Sequence, residues 1–349
     1  MRSSYKKEDV VLLLKDITGM VEPQSTQERE KLIQSGKHYS EMLPIEYVPT
    51  DVYMKVYKSA LEKYSGDVAR AVGVLAGKII DKRGKDVVLV SLARAGIPIG
   101  ILLKRYIAKK YNLDLPHYSI SIIRGRGIDN NAMEYLLERY EPHRLLFVDG
   151  WIGKGAILNE LKKDISAYEG VSPEIAVVAD PANVTDLCGT HKDILIPSSC
   201  LNSTVSGLVS RTFLRDDIIG KDDFHGAVFY EELMESDLSY EFIHAIEKEF
   251  DMDNSVKEET VEGCGIDEVR KIAEEYGVSD INLVKPGIGE ATRVLLRRVP
   301  WKVLIDERYM DDPQLEHLVR LAEEKGVPVE SYPMMHYKCC GIIKKMADA

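Results

Sequence analysis

Three loops of this chain carry residue types suited to gripping an anion. Leu145-Leu-Phe-Val-Asp149 is an apolar run ending in an acid, and Gly150-Trp-Ile-Gly153-Lys154-Gly155-Ala156 follows it. Glycines let backbone amides approach a phosphate, a helix starting near Ala156 adds its dipole, and Lys154 adds a positive charge. Asp149 can accept sugar hydroxyls. Ala93-Arg94-Ala95-Gly96 is a second small turn, in which Arg94 can pair with an anion. Arg124-Gly125-Arg126-Gly127 sets two guanidinium groups among glycines, a loop suited to closing over pyrophosphate. Together the three point to a phosphorylated sugar. Singly, each is also compatible with an ordinary turn in a parallel sheet.

A different chemistry is written at Cys200. Ile196-Pro-Ser-Ser-Cys200 predicts a helix whose first turn holds the thiol, with Ser203, Ser206, Gly207 and Ser210 as its close-packing face. A helix N-terminus favours a thiolate. His225, oriented by Asp222 or Asp223, would complete a Cys–His pair for nucleophilic catalysis. The alternative is a structural cysteine in a packed core. Cys188 and His191 are spaced Cys-x-x-His with no second pair to complete four ligands, so no metal is assigned there.

Farther along, Pro286-Gly287-Ile288-Gly289-Glu290-Ala291-Thr292-Arg293 places two glycines just before a helix. Arg293 and Arg297 fall on one helix face, with Arg298 and Lys302 nearby. Loop amides and arginines in this arrangement can grip an RNA backbone. From Gly265 onward there are 13 Lys and Arg against 15 Asp and Glu, so RNA would have to be held by a local patch. The alternative is a small module that packs on the rest of the chain, with Tyr332–Gly341 as the matching edge loop.

The elements that must position these groups follow an alternating pattern. The first ~80 residues read mostly as helix, with helical spacing over Val52–Ile80. Strands are expected at Asp86–Leu92, His117–Ile123, Leu145–Val148 and Ile175–Ala179, with helices at Ile99–Lys110 and Asn131–Tyr140 between them. That alternation predicts an α/β fold with a parallel sheet and right-handed crossovers. A second, smaller α/β unit is expected from helices at 266–276, 290–298 and 314–325 and strands at 281–284, 303–305 and 327–331. The chain is therefore read as residues 1–250, a linker at 251–263, and a second domain at 264–349.

Composition narrows the classes. A chain of 349 residues is long for one core. Its net charge of −11 argues against nucleic-acid binding through bulk electrostatics. No apolar stretch reaches transmembrane length. The five cysteines are scattered and odd in number, and the charged N-terminus lacks a signal-peptide core, so a reducing cytoplasm is expected.

The order of the three loops resembles type I phosphoribosyltransferases. More specifically, Val90–Pro98, Ser121–Asp129, Phe147–Ala156, Ile196–Thr212 and Asp222–Ala227 resemble the StiP family, whose N-terminal domain is described as phosphoribosyltransferase-like and also as a cysteine protease. The stretch around Glu290-Ala-Thr-Arg293 resembles the L7Ae and PELOTA RNA-binding fold. The resemblance implies phosphoribosyl diphosphate or a related sugar or nucleotide as substrate, with magnesium accompanying the pyrophosphate-bearing substrate, and a role in nucleotide-like metabolite synthesis in tellurite-resistance gene neighbourhoods. It implies catalytic roles for Asp149, Arg124 and Arg126. Substrate binding falls to Arg94, Ala95, Gly96, Gly150, Gly153, Lys154, Gly155 and Ala156. RNA binding falls to Gly287, Gly289, Glu290, Thr292, Arg293 and Arg297. Two alternatives stand beside it: a cysteine peptidase using Cys200 and His225, and a non-catalytic, RNA-linked nucleotide sensor. The chain departs from the patterns in having Asp149-Gly150 where two acids usually adjoin, and Gly289 where the RNA-binding segment has Asn.

Overall fold

The apolar runs near residues 88 and 145 become the middle of a parallel sheet. The computed structural model describes residues 1–46, 49–253 and 261–345. Six strands lie in the order β1 (Val11–Leu12), β4 (His117–Ile120), β3 (Val88–Leu92), β7 (Leu145–Trp151), β8 (Ile175–Ala179) and β9 (Cys188–Thr190), each parallel to its neighbours. Every residue of β3 and β8 is buried, as befits strands covered on both faces. Alternation divides them between two cores. Leu89, Leu146, Val148 and Val178 pack with α2 (Asp51–Arg83), α3 (Gly96–Tyr111) and α6 (Ser239–Lys248). Val88, Val90, Phe147 and Val177 pack with α4 (Asn130–Leu137) and α5 (Ala156–Ile165).

Some expectations change. The strand predicted over 117–123 breaks after Ile120, and β5 (Ile122–Ile123) turns back onto β6 (Gly127–Ile128) as a short antiparallel ladder. The first 80 residues hold more than helices. Besides α1 (Thr26–Gln34), they contribute β1 and β2 (Lys15–Asp16), and β2 pairs with β10 (Gly226–Ala227). No helix forms around Cys200. Residues Pro197–Cys200 and Ser203–Val205 are separate 3-10 turns, because Pro197 and the Ser-rich stretch favour local turns over a continuous helix.

In the second domain, β11 (Val284–Pro286), β14 (Cys339–Ile343), β12 (Pro300–Ile305) and β13 (Val329–Ser331) form a mixed sheet in that order, with α7 (Gly265–Glu275), α8 (Ile288–Arg297) and α9 (Glu316–Glu324). Residues 281–283 form a 3-10 turn rather than the start of a strand. The segment read as an edge loop at 332–341 runs into β14, which is paired on both sides. Of the expected linker, residues 254–260 lie outside the described residues. The two domains share a core: Ile288 and Leu295 of α8 and Leu318 and Leu321 of α9 belong to the same apolar cluster as Val68 and Leu75 of α2. α9 packs on α2, and α8 packs on the turn at 197–200. No described helix is long and apolar enough to cross a membrane.

Candidate functional site at the domain cleft

Docking the two domains leaves a cavity of about 790 Å³ between them. One wall is the expected anion loop. β7 delivers Asp149 and Trp151, Gly155 turns the chain at φ +83°, and α5 starts at Ala156. The amides of Gly153, Lys154, Gly155 and Ala156 donate to no group among the described residues, and all four residues line the cavity. They meet the field of the α5 N-terminus, and the first turn of α5 carries no acidic residue. Gly150 packs behind this wall, against Ala95.

Asp149 stands at the mouth of the loop. Its Oδ1 accepts the Gly150 amide at 2.7 Å, and burial pushes the carboxyl up to about 6. Arg94 and Ala95 line the cavity beside it. Gly96 lies outside the lining and opens α3, where a Cβ would overlap the Val148 carbonyl. Arg94 is nearly buried, donates to the Val209 carbonyl at 2.6 Å, and approaches Glu46 at 4.0 Å.

The two arginines of the hairpin between β5 and β6 part company. Arg124 lines the cavity and donates to Asn282 of the second domain at 2.9 Å. Arg126 points away and pairs with Glu41 at 2.5 Å, so it is no part of this wall. Lys154 departs from its expected task. Its Nζ donates to the carbonyls of Ile281 and of Val284, the latter at 2.8 Å. Burial, then Lys285, pulls its ammonium down to about 7. It fastens the domains together rather than offering a free charge to a phosphate.

The opposite wall is the stretch expected to hold RNA. Glu290, Arg293 and Arg297 line the cavity, so these side chains face the first domain. Arg293 lies 4.3 Å over the Trp151 ring and pairs with Glu290 at 3.2 Å. Burial alone would raise the Glu290 carboxyl, but Arg293 and Lys285 hold it below its ordinary value. Gly289 sits inside α8 against Trp151, where a Cβ would overlap the indole. The Gly287 amide donates to Cys339 at 2.8 Å. Thr292 is fully buried, bonded to Ile288 and to His317 at 2.7 Å each, a core residue rather than a contact surface. The helix N-terminus offered to RNA is already occupied: Asp193 of the first domain accepts the Ile288 amide at 3.0 Å.

The sequence reading missed several lining groups: Arg29, Tyr39, Glu46, Asn202, Arg211 and Lys285. Arg29, Tyr39 and Glu46 lie outside every motif stretch, Asn202 and Arg211 lie within Ile196–Thr212, and Lys285 directly precedes Pro286; only the tertiary fold turns all six toward the cavity.

The thiol hypothesis fares differently. Cys200 closes a 3-10 turn, is fully buried, and burial pushes its thiol up to about 12, which disfavours the thiolate. His225 bonds the Ser121 hydroxyl at 2.9 Å through Nδ1, and its amide donates to Asp129 at 2.6 Å. No hydrogen bond joins Cys200 to His225. Asp223 instead pairs with Lys15 at 2.5 Å. A different thiol does meet an imidazole: Cys188 Sγ lies 3.4 Å from His191 Nε2, and His191 Nδ1 lies 3.0 Å from the Asp180 carbonyl oxygen. Among the described residues no cluster of three or more His, Cys, Asp or Glu side chains could hold a metal.

Comparison with known proteins gives the relationship. A PELOTA RNA binding domain model matches residues 264–345. Solved structures similar to the chain include a hypoxanthine-guanine phosphoribosyltransferase from Bacillus anthracis, 18% identical, covering 36% of this chain and 71% of that one with a TM-score of 0.26. A hypoxanthine-guanine-xanthine phosphoribosyltransferase is 15% identical, covering 49% and 93%, with a TM-score of 0.25. The family model described as tellurite-like stress resistance cysteine protease StiP matches residues 3–247. The cysteine protease StiP of Acinetobacter baylyi is 36% identical, across 98% of this chain and 94% of that protein. By both the span of the family model and the identity to this relative, the chain belongs to the StiP family, with a PELOTA-type domain following the family's own.

Proposed function

We propose that the cleft binds a phosphorylated ribose or nucleotide-like metabolite and that the chain acts on it as a phosphoribosyltransferase-like enzyme. One observation carries this reading: four amides at the start of α5 that have no partner among the described residues belong to residues lining the same cavity as Asp149, Arg94 and Arg124. A phosphate set against those amides gains hydrogen bonds and the helix field together. Asp149, ionised above pH about 6, would accept ribose hydroxyls alone, without the usual neighbouring acid. Arg94 and Arg124 would meet pyrophosphate. Ribosyl transfer asks a site to hold the ring and stabilise charge, with no covalent step on the protein. Magnesium would enter with the diphosphate oxygens, since the described residues offer no resident cluster for it. The test is pyrophosphate release from phosphoribosyl diphosphate with a panel of nitrogenous acceptors, comparing wild type with Asp149→Asn. Loss of release in the variant is expected. A wild type that neither releases pyrophosphate nor binds ribose 5-phosphate sinks the reading.

A second reading is favoured by one contact. The Acinetobacter relative is named a cysteine protease, and the 3.4 Å approach of Cys188 to His191 supports a thiol–imidazole pair there rather than at Cys200. Cys188 is fully buried, so a peptide would reach it only after the β9 edge opens. Peptide hydrolysis lost in Cys188→Ser and kept in Cys200→Ser would favour this pair, and the reverse pattern would remove it.

An RNA partner is supported by the likeness of the second domain to RNA-binding domains. With α8 closed against the first domain, Gly287, Gly289, Glu290, Arg293 and Arg297 would meet RNA only when the domains separate. Gel shifts with structured RNA that are unaltered by Arg293→Gln fit the closed arrangement.

A further inference from the structure

Three guanidinium groups face the cleft, and among the described residues none of them forms an ion pair with a carboxylate. Arg29, on α1, is 2% exposed, and its Nε has no hydrogen-bond partner among the described residues. Arg211 lies over the Tyr39 ring at 4.6 Å, and its guanidinium likewise makes no hydrogen bond to a described residue. Arg297, in the last turn of α8, donates through Nε to the neutral Asn202 amide oxygen. The carboxylates nearby are committed elsewhere. Glu30 chelates Arg298 through both oxygens, at 2.6 and 2.9 Å. Glu46 accepts the amide and hydroxyl of Ser203 at 2.8 Å each, and its nearest cation is Arg94.

Such a cluster is unfavourable without a counter-charge. Buried charges in proteins are normally paired; Arg29 is buried outright, and Arg211 and Arg297 are half-buried at the cavity wall, so each has lost part or all of its hydration. Repulsion adds to that here: after burial itself, Arg29 is the largest influence drawing the Arg211 guanidinium down to about 9, and Arg94 and Arg293 depress Arg297 in the same way. What the three do share is open volume. Planar guanidinium forks match phosphate oxygens two at a time, and arginine is the side chain suited to such an anion in a dry site.

We propose that Arg29, Arg211 and Arg297 form a second anion subsite, which takes a phosphate or diphosphate group of the ligand at a distinct place from the group held by the amides of Gly153–Ala156. This rests on the reading of the cleft as a ligand site and extends it. The ligand carries anionic groups at two places. One of the groups that grips it, Arg297, belongs to the second domain. The three arginines come from α1, from the segment after the 3-10 turns, and from α8, so they meet only while the domains are docked. Ligand that binds the docked form alone therefore stabilises docking by mass action.

Calorimetry on the full chain tests this, with inorganic pyrophosphate and ribose 5-phosphate as separate probes and with Arg29→Met and Arg211→Met as variants. Pyrophosphate affinity is expected to fall by about tenfold or more in each variant, the scale of a lost charge-assisted hydrogen bond. Ribose 5-phosphate affinity is expected to stay within about twofold, which also certifies that the variants fold. Without ligand, both variants should melt at higher temperature than wild type, because like charges have been removed. Unchanged pyrophosphate affinity in both variants overturns the subsite, and so does a wild type that binds no pyrophosphate. If pyrophosphate binding depends on the arginines while wild type ignores ribose 5-phosphate, the phosphoribosyl reading falls and the subsite stands.

Discussion

Asp193 Oδ1 accepts the amide of Ile288 at 3.0 Å, so a carboxylate of the first domain caps the first turn of a helix in the second. Its other oxygen accepts the Lys338 amide at 2.9 Å. This one side chain satisfies two backbone donors across the domain boundary and fills the helix end that the sequence offered to RNA. Asp193→Ala leaves both amides without their acceptor. It should destabilise the protein by about 1–3 kcal/mol and make the full chain more sensitive to protease. An unchanged melting temperature and cleavage pattern would show that the cap contributes nothing to docking.

Asp149 is predicted to trade stability for function. Its carboxyl has an ordinary value of 3.8 and a folded value of about 6. Between those values the folded state holds more protons than the unfolded state, so this group's contribution to stability is lost as pH rises from about 4 through 6. Asp149→Asn should therefore match wild type in stability near pH 4 and exceed it at pH 7 by about 1–2 kcal/mol, allowing for partial exposure. It should lose ligand-dependent activity at the same time. Chemical denaturation at the two pH values checks the sign; a variant less stable at pH 7 would mean the carboxylate is stabilised rather than strained.

The Gly289 backbone lies directly on the Trp151 indole, so Gly289→Ala forces either the ring or α8 to move. A loss of about 1–3 kcal/mol is expected from the overpacking, with a red shift of Trp151 emission best read in a Trp301→Phe background. Unperturbed emission and stability would place the two domains farther apart than described.

Thiol reactivity should rank the cysteines by exposure. Cys264 is the partly exposed one, whereas Cys188, Cys200, Cys339 and Cys340 are buried. Burial pushes the thiols of both Cys200 and Cys340 up to about 12. Iodoacetamide at pH 8, followed by peptide mass mapping, should mark Cys264 first and leave Cys200 unmodified in the native protein. Rapid alkylation of Cys200 would restore it as a nucleophile.

The sheet was legible because burial on both faces writes itself as unbroken apolar runs such as Val88–Leu92, and the turn into α5 because Gly153 and Gly155 punctuate the run after Asp149. Arg293 and Arg297 were legible as a cationic face of α8, but not the direction of that face, which is decided by apolar residues such as Ile288 and Leu295 entering the first domain's core. Lys154 reads in sequence as a free charge; two carbonyls 127 and 130 residues away claim it instead. Arg29 and Arg211 carry no local signal, since a lone arginine in a short helix or turn ordinarily faces water. The helix expected at Cys200 failed because periodic small residues also suit consecutive serine turns.

The position of a bound phosphoribosyl ligand is the decisive measurement. A crystal of the full chain soaked with phosphoribosyl diphosphate and magnesium should place the 5′-phosphate within hydrogen-bonding distance of the amides of Gly153–Ala156, and the diphosphate among the cleft arginines, Arg94 and Arg124 together with Arg211 and Arg297. Density for the ligand outside the domain cleft, or a cleft left vacant at saturating ligand, would contradict it.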